Sequence, residues 1–190
     1  MMFQSPVLLD WRTARSNVLL PLEIAGGRRA ARRAQERAEE LLALVGLEGF
    51  EDRYPWELSG GMQQRVAIAR ALAYQPEILL MDEPFASVDA QTRADLEDLV
   101  LAVRRKFGVT VVFVTHDIDE SVYLGDRIIV LTPSPTRVQE VLDVGLPSPR
   151  DQIETKELPE FARLRAHVYR SIKREQVAAE PELGGAPAGA

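Results

Sequence analysis

Short apolar runs alternate with helically spaced ones along the second half of this chain. Residues 77–82 and 109–115 are continuous and apolar, the mark of strands buried in a parallel sheet. Between them Leu96, Leu99, Val100 and Val103 recur at helical spacing, predicting a helix over about 90–107 that Gly108 closes. A short helix over 118–124, a third apolar run at 127–131 and a hairpin partner at 138–144 follow. The turn Pro133-Ser134-Pro135-Thr136 joins the last two. Phe161, Leu164, Val168 and Ile172 place a late amphipathic helix over 159–174. Alternation of buried strand and helix is the pattern of an α/β sheet.

The first half reads differently. Met1 to Phe3 look like the end of an apolar strand, and residues 5–27 read as extended with interruptions. From Arg28 to Val45 one helical face carries Ala34, Ala38, Leu41, Leu42 and Val45, and Gly46 closes it. Tyr54-Pro55-Trp56-Glu57 is a turn into Ser59, after which a helix runs to about Tyr74. The arginines 28, 29, 32, 33 and 37 share their helix with Glu36, Glu39 and Glu40, so a solvated surface fits better than a nucleic-acid patch. The tail 177–190, rich in Ala, Gly and Pro, has too little apolar surface to order itself.

Composition narrows the classes. The 190 residues are 46% hydrophobic and 27% charged, as in an ordinary soluble globule, and the net charge of −6 argues against nucleic acid as main partner. Without cysteine there is no disulfide framework or thiolate metal site. No apolar stretch approaches the roughly 20 residues of a membrane span. The start lacks the basic region and apolar core of a signal peptide, so the expected location is cytoplasmic.

Three places carry chemistry. Ser59-Gly60-Gly61 opens a helix: serine caps it, and two glycines let backbone amides approach an anion such as a terminal phosphate. Ser-Gly-Gly alone would equally suit any capped helix. The full run Leu58-Ser59-Gly60-Gly61-Met62-Gln63-Gln64-Arg65, with Ala69-Arg70-Ala71-Leu72 behind it, is far more specific. Asp82 and Glu83 end an apolar strand at the edge where α/β proteins bind ligands. There Asp82 suits Mg²⁺ through water, and Glu83 suits the orientation and deprotonation of an attacking water. His116 follows the next strand in the same manner, within reach of a γ-phosphate, although His116-Asp117 also reads as a capped helix start. His167, among arginines on the late helix, reads as surface.

With these motifs on one chain, residues 1 to about 175 resemble the ATP-binding cassette subunit of an ABC transporter. Phe3-Gln4 matches the Q-loop, 58–64 the signature, 78–82 Walker B, Ser87-Val88-Asp89 the D-loop and His116 the H-loop. Residues 4–12, 146–150 and 159–161 resemble the nitrate, sulfonate and taurine importer branch. The resemblance implies a P-loop NTPase-like core sheet flanked by helices, with a helical subdomain over about 5–75, the core remainder over 76–145 and the C-terminal helix at 159–174. It also implies ATP and Mg²⁺. Glu83 and His116 would be catalytic, Asp82 and Gln4 would hold the metal, and Gln4, Ser59, Gly60, Gly61, Gln63 and Asp89 would bind nucleotide. Ser59, Gly60 and Gly61 would meet the γ-phosphate held by a second cassette in a head-to-tail dimer, and Asp89 would cross that interface. A membrane permease, and indirectly an extracytoplasmic solute-binding protein, would complete the assembly at the inner face of the plasma membrane.

One part of the pattern is missing. No G-x-x-x-x-G-K-[ST] loop occurs, and lysine stands only at 106, 156 and 173. The family's Walker A strand and antiparallel β subdomain would precede residue 1. The resemblance puts that strand between the ones at 109–115 and 127–131, where its loss leaves unpaired ladder groups costing about 1–3 kcal/mol each if buried. Poor solubility or a non-native sheet is the expectation. Two other readings stay open: a non-hydrolytic fragment lending its signature to an intact partner, and a soluble cassette of DNA repair or translation. The 54 residues between Gln4 and Ser59 leave no room for the long coiled coils of repair cassettes, and translation cassettes come in tandem.

Overall fold

The computed structural model describes Met2 and residues 6–179, with the side chains of 175–179 left aside. The chain divides into two compact units between His116 and Asp117. In the first, α1 (Ala14–Arg33), α2 (Gln35–Leu44) and α3 (Gly60–Ala73) pack on one another. They bury Val18, Leu19, Leu41, Leu42, Val66, Ile68 and Leu72. The sheet of this unit is parallel: β1 (Ile78–Asp82) pairs with β2 (Thr110–Val114), from Ile78 opposite Thr110 to Asp82 opposite Val114. Helix α4 (Ala90–Phe107) joins them and ends at Gly108, whose φ of 63° is the left-handed cap that glycine adopts without strain. Met2 bridges to Met81 in parallel, its N–H donating to the Leu80 carbonyl at 2.8 Å, so the expected strand end at the start of the chain is present at that residue.

From Ala14 onward the extended reading of 5–27 is overturned by helix α1. Thr13 caps α1 by accepting from the Ser16 amide at 3.3 Å, and Ala14, Val18 and Ala31 are buried. The apolar triplet at 18–20 looks like a strand, but its burial follows a helical face. Gly27, at φ 68° and ψ −175°, breaks α1 into two stretches, and α2 begins only after Ala34, so the helix expected over 28–45 is divided.

The strands expected to be wholly buried are covered on one face. Ile78 and Leu80 are exposed while Leu79 and Met81 are buried, and Val112 and Val114 share the exposed face with Ile78 and Leu80. The two-residue period of a strand sends alternate side chains to opposite faces, and among the described residues only one face is packed. On β2 Phe113 meets Phe85 with ring centroids 5.5 Å apart.

The second unit holds α5 (Ile118–Leu124), the antiparallel hairpin of β3 (Arg127–Leu131) and β4 (Val138–Asp143), a short α6 (Glu154–Glu157) that the sequence did not signal, and α7 (Pro159–Ala179). Strands β3 and β4 form a sheet of their own. Val177–Ala179 continue α7 beyond the expected end at 174, and residues 180–190 of the expected disordered tail lie outside the described residues. Arg150 donates to the carbonyl of the fully buried Tyr123 at 2.5 Å, and Lys156 stands 4.8 Å above its ring.

Helix α7 is tied to β4 through Glu140. The His167 Nε2 lies 2.9 and 3.1 Å from its two carboxylate oxygens, and the Ser171 hydroxyl donates to it at 2.9 Å. His167 is thus half exposed yet engaged, not simply surface. First the His167 contact, then the Ser171 hydroxyl, hold the Glu140 carboxyl below its usual range. A depressed carboxylate stabilises the fold above the unfolded value of about 4.3 and loses that contribution as pH falls through the folded one. Acid titration of wild type against Glu140→Gln, followed by circular dichroism, is therefore expected to show the wild-type advantage begin to shrink as pH falls below about 4.3 and disappear once the depressed folded carboxyl is itself protonated. Parallel curves at all pH values would contradict it.

Candidate functional site

The tip of α3 is prepared by the loop before it. Pro55–Glu57 form one 3-10 turn, with the Glu57 carboxylate accepting from the Tyr54 amide at 2.8 Å. The Gln63 amide nitrogen reaches back to the carbonyls of Pro55 at 2.9 Å and Leu58 at 3.2 Å. Gln63 therefore braces the turn from inside the helix. Ser59 is the extended N-cap, and its hydroxyl accepts from the Met62 amide at 3.2 Å. Ser59 and Gly60 are exposed, and the Gly60 and Gly61 amides carry no partner among the described residues. Such a helix start presents amides and the positive end of the helix dipole to an anion.

Asp89 caps α4, accepting from the Thr92 amide at 3.0 Å and its hydroxyl at 2.6 Å. The hydroxyl contact is the largest cause holding the Asp89 carboxyl below the usual aspartate range, with the amide next. Thr92 also packs on Gly61: a Cβ there would lie 2.3 Å from the Thr92 methyl. One side chain thus joins Asp89 to the α3 tip. No sequence motif marks Thr92, and its position three residues after a capping aspartate was the available signal.

At the other end of the sheet β1 delivers Asp82, exposed, and Glu83 beyond it. The Glu83 amide donates to the Val114 carbonyl at 2.8 Å, extending the parallel ladder by one residue. Its φ is 44°, in the left-handed region that L-residues rarely occupy and that recurs at functional sites. The His116 Nδ1 lies 3.1 Å from the Glu83 carboxylate. The histidine is 74% exposed and the glutamate 35%, so the pair faces outward where a ligand can reach it. No hydrogen bond or ion pair joins this pair to Ser59 or Gly60 among the described residues. Gln4 lies outside the described residues.

Sequence reasoning missed the anchoring of residues 6–13. Asn17 is fully buried in α1; its carbonyl oxygen accepts from the Leu9 amide at 2.8 Å, and its amide donates to the carbonyls of Leu9, Arg12 and Thr13 at 3.2, 3.0 and 3.1 Å. From α3, Arg70 donates to the carbonyls of Pro6 and Val7, both at 2.8 Å. A polar amide inside an apolar helical face was the overlooked signal for Asn17.

A family model described as ABC transporter matches residues 1–86. An ABC transporter ATP-binding protein of Methanocaldococcus jannaschii is 49% identical over 173 residues, covering 91% of this chain and 62% of that protein. An aliphatic sulfonates import ATP-binding protein of Bacillus licheniformis is 42% identical over 96% of this chain and 68% of its own length. The chain belongs to the ABC transporter ATP-binding family. Proteins named for taurine import in Rhizobium johnstonii and nitrate import in Synechococcus elongatus match at 44% and 41% identity over 87% and 92% of this chain, covering 64% and 27% of their own lengths. These relatives are themselves named for the import of nitrate, taurine or aliphatic sulfonates. Among solved structures, a dimeric post-hydrolysis state of an ATP-binding cassette bound to ADP and Pi matches with TM-score 0.60 and 38% identity, over 75% of this chain and 62% of that one.

The fold is accordingly that of an ABC ATPase, an α/β P-loop NTPase-like core with a helical subdomain, and the family is one of ATP-binding hydrolases. The chain spans 62% of the Methanocaldococcus relative's length. No described helix is long and apolar enough to cross a membrane.

The packing of Thr92 on the signature sets a test. Gly61→Ala is expected to lower stability by about 1–3 kcal/mol through overpacking, because rotating the methyl away breaks the hydroxyl bond to Asp89. Thr92→Ser keeps that bond and removes the methyl, so the double variant is expected to recover most of the loss in thermal unfolding. An equal loss in both backgrounds would show that the methyl is not the obstacle.

Proposed function

We propose that this chain carries the signature and Walker B portion of an ATP-hydrolysing subunit that energises import of nitrate, a sulfonate, taurine or a similar small solute. The observation that carries the reading is the Glu83–His116 contact at 3.1 Å beside Asp82, on the edge of a parallel sheet. Glu83 orients a water and accepts its proton, and His116 donates to charge developing on the γ-phosphate.

Asp82 is a lone exposed carboxylate beside this pair, and no described cluster of three or more acidic, histidine or cysteine side chains could hold a metal by itself. That donor set fits Mg²⁺, which keeps several waters and takes its other oxygens from phosphates. Asp82 and, by the family resemblance, Gln4 would hold it, and the ion supplies neutralisation of phosphate charge. Ser59, Gly60 and Gly61 offer their helix start to a nucleotide on a second cassette. In this head-to-tail reading one protomer serves two nucleotides. Gln63 contributes by bracing that tip, and Asp89 by linking it through Thr92. The remaining partners are a membrane permease and, through it, a solute-binding protein, with the cassette peripheral to the inner face of the plasma membrane. Nucleic acid is not a partner on this reading.

A second reading, a signature tip lent in trans to an intact partner, draws on the same exposed Ser59-Gly60 helix start.

Glu83→Gln is expected to lower ATP turnover of the assembled cassette by about a hundredfold or more while nucleotide binding persists. Ser59→Arg would instead abolish the nucleotide-dependent dimer, read by light scattering. Full turnover in Glu83→Gln would end the hydrolytic reading. Lost turnover only in a partner's equivalent variant would establish the lending one.

A further inference from the structure

The tether from Arg70 joins residues 6 and 7 directly to the helix that carries the signature tip. Arg70 stands ten residues into α3 from Gly60, roughly 15 Å along the same rigid helix that carries the signature tip. Its guanidinium is half-buried, and burial pulls its proton affinity below the usual arginine range. Among the described residues its partners are two successive carbonyls, those of Pro6 and Val7, and no carboxylate. A planar fork of donors suits this task, whereas an ammonium would serve one carbonyl at a time.

What it holds is strained. Val7 has φ 40°, and for a β-branched residue that is a true outlier, kept only where surroundings over-determine it. Asn17 fastens the next stretch to α1 through Leu9, so the segment has one anchor on each helix. Pro6 follows Gln4 by two residues.

We propose that Arg70 is a positioning residue that makes Pro6 and Val7, just past Gln4 in sequence, move together with the signature helix. The proposal rests on the reading of Gln4 as the contact that couples the nucleotide site to the permease. Displacement of α3 when its tip meets nucleotide would then be carried to that segment through two hydrogen bonds. Relaxation of Val7 to extended backbone, once the fork is gone, would disconnect them.

The test uses the complete cassette assembled with its permease, with ATP turnover measured for the cassette alone and for the assembly. Arg70→Gln is expected to leave basal turnover unchanged and to cut permease-dependent stimulation about fivefold. Arg70→Lys, with a single donor head, is expected to fall between. Full stimulation in Arg70→Gln overturns the proposal. So does a parallel fall of basal and stimulated turnover with melting temperature in both Arg70→Gln and Arg70→Lys, the mark of a merely structural contact. Wild-type cassette without any turnover would instead overturn the functional reading beneath it, and the proposal with it.

Discussion

Parallel pairing of β1 with β2 is the constraint from which the rest of the site follows. Asp82 sits opposite Val114, and the Glu83 amide takes the Val114 carbonyl, so the acidic pair and His116 leave the sheet at the same edge. A slip of one residue would send Leu79 and Met81 to the open face and carry Glu83 away from the imidazole. The register is held by what it buries: Met81 and Leu79 on the packed face, and Phe85 against Phe113 just past the strand end. Chemistry at this edge is thus fixed by core packing a few ångströms behind it.

Helix α3 organises the other half of the site. Its buried Val66, Ile68, Ala69 and Leu72 seat it among α1 and α2, and its polar residues reach outward to three different loops. Gln63 takes the turn before the tip, Arg65 takes the Val45 carbonyl at 2.8 Å, and Arg70 takes Pro6 and Val7. The helix therefore behaves as a spine to which separate stretches of backbone are fastened by charge-assisted or amide bonds. Nothing in this scheme needs a large apolar surface at the tip, which stays open.

Much of this was legible in the residues. Strand positions, the helix over 90–107 with its glycine stop, and the hairpin of β3 and β4 followed from periodicity and turn chemistry. The motif residues Ser59, Asp82, Glu83 and His116 stood out because acid, imidazole and glycine fall at strand or helix ends. What failed has physical causes. Val18-Leu19-Leu20 looks like a strand because a short apolar run has no period of its own, and only the Thr13 cap and the burial of Asn17 make it helical. Continuous apolarity at 78–81 implied cover on both faces, whereas period two only states which residues share a face. Thr92 and Asn17 were missed because their signals, a threonine three residues after a capping aspartate and a lone amide on an apolar helical face, are faint beside a motif, and Arg70 stood in the run behind the signature with nothing to reveal its carbonyl partners.

Glutamate at position 83 is a poor choice for folding alone. Glycine would enter the same turn freely, and an asparagine would tolerate it better, so the carboxylate is retained against a conformational penalty of about 1–3 kcal/mol. That penalty is a tax on the native state levied in every molecule, whether or not nucleotide is present. Under the role proposed for Glu83, evolution toward a hardier protein would remove it first, and would surrender hydrolysis in doing so. The strand end would thereby set durability against turnover through a single torsion angle.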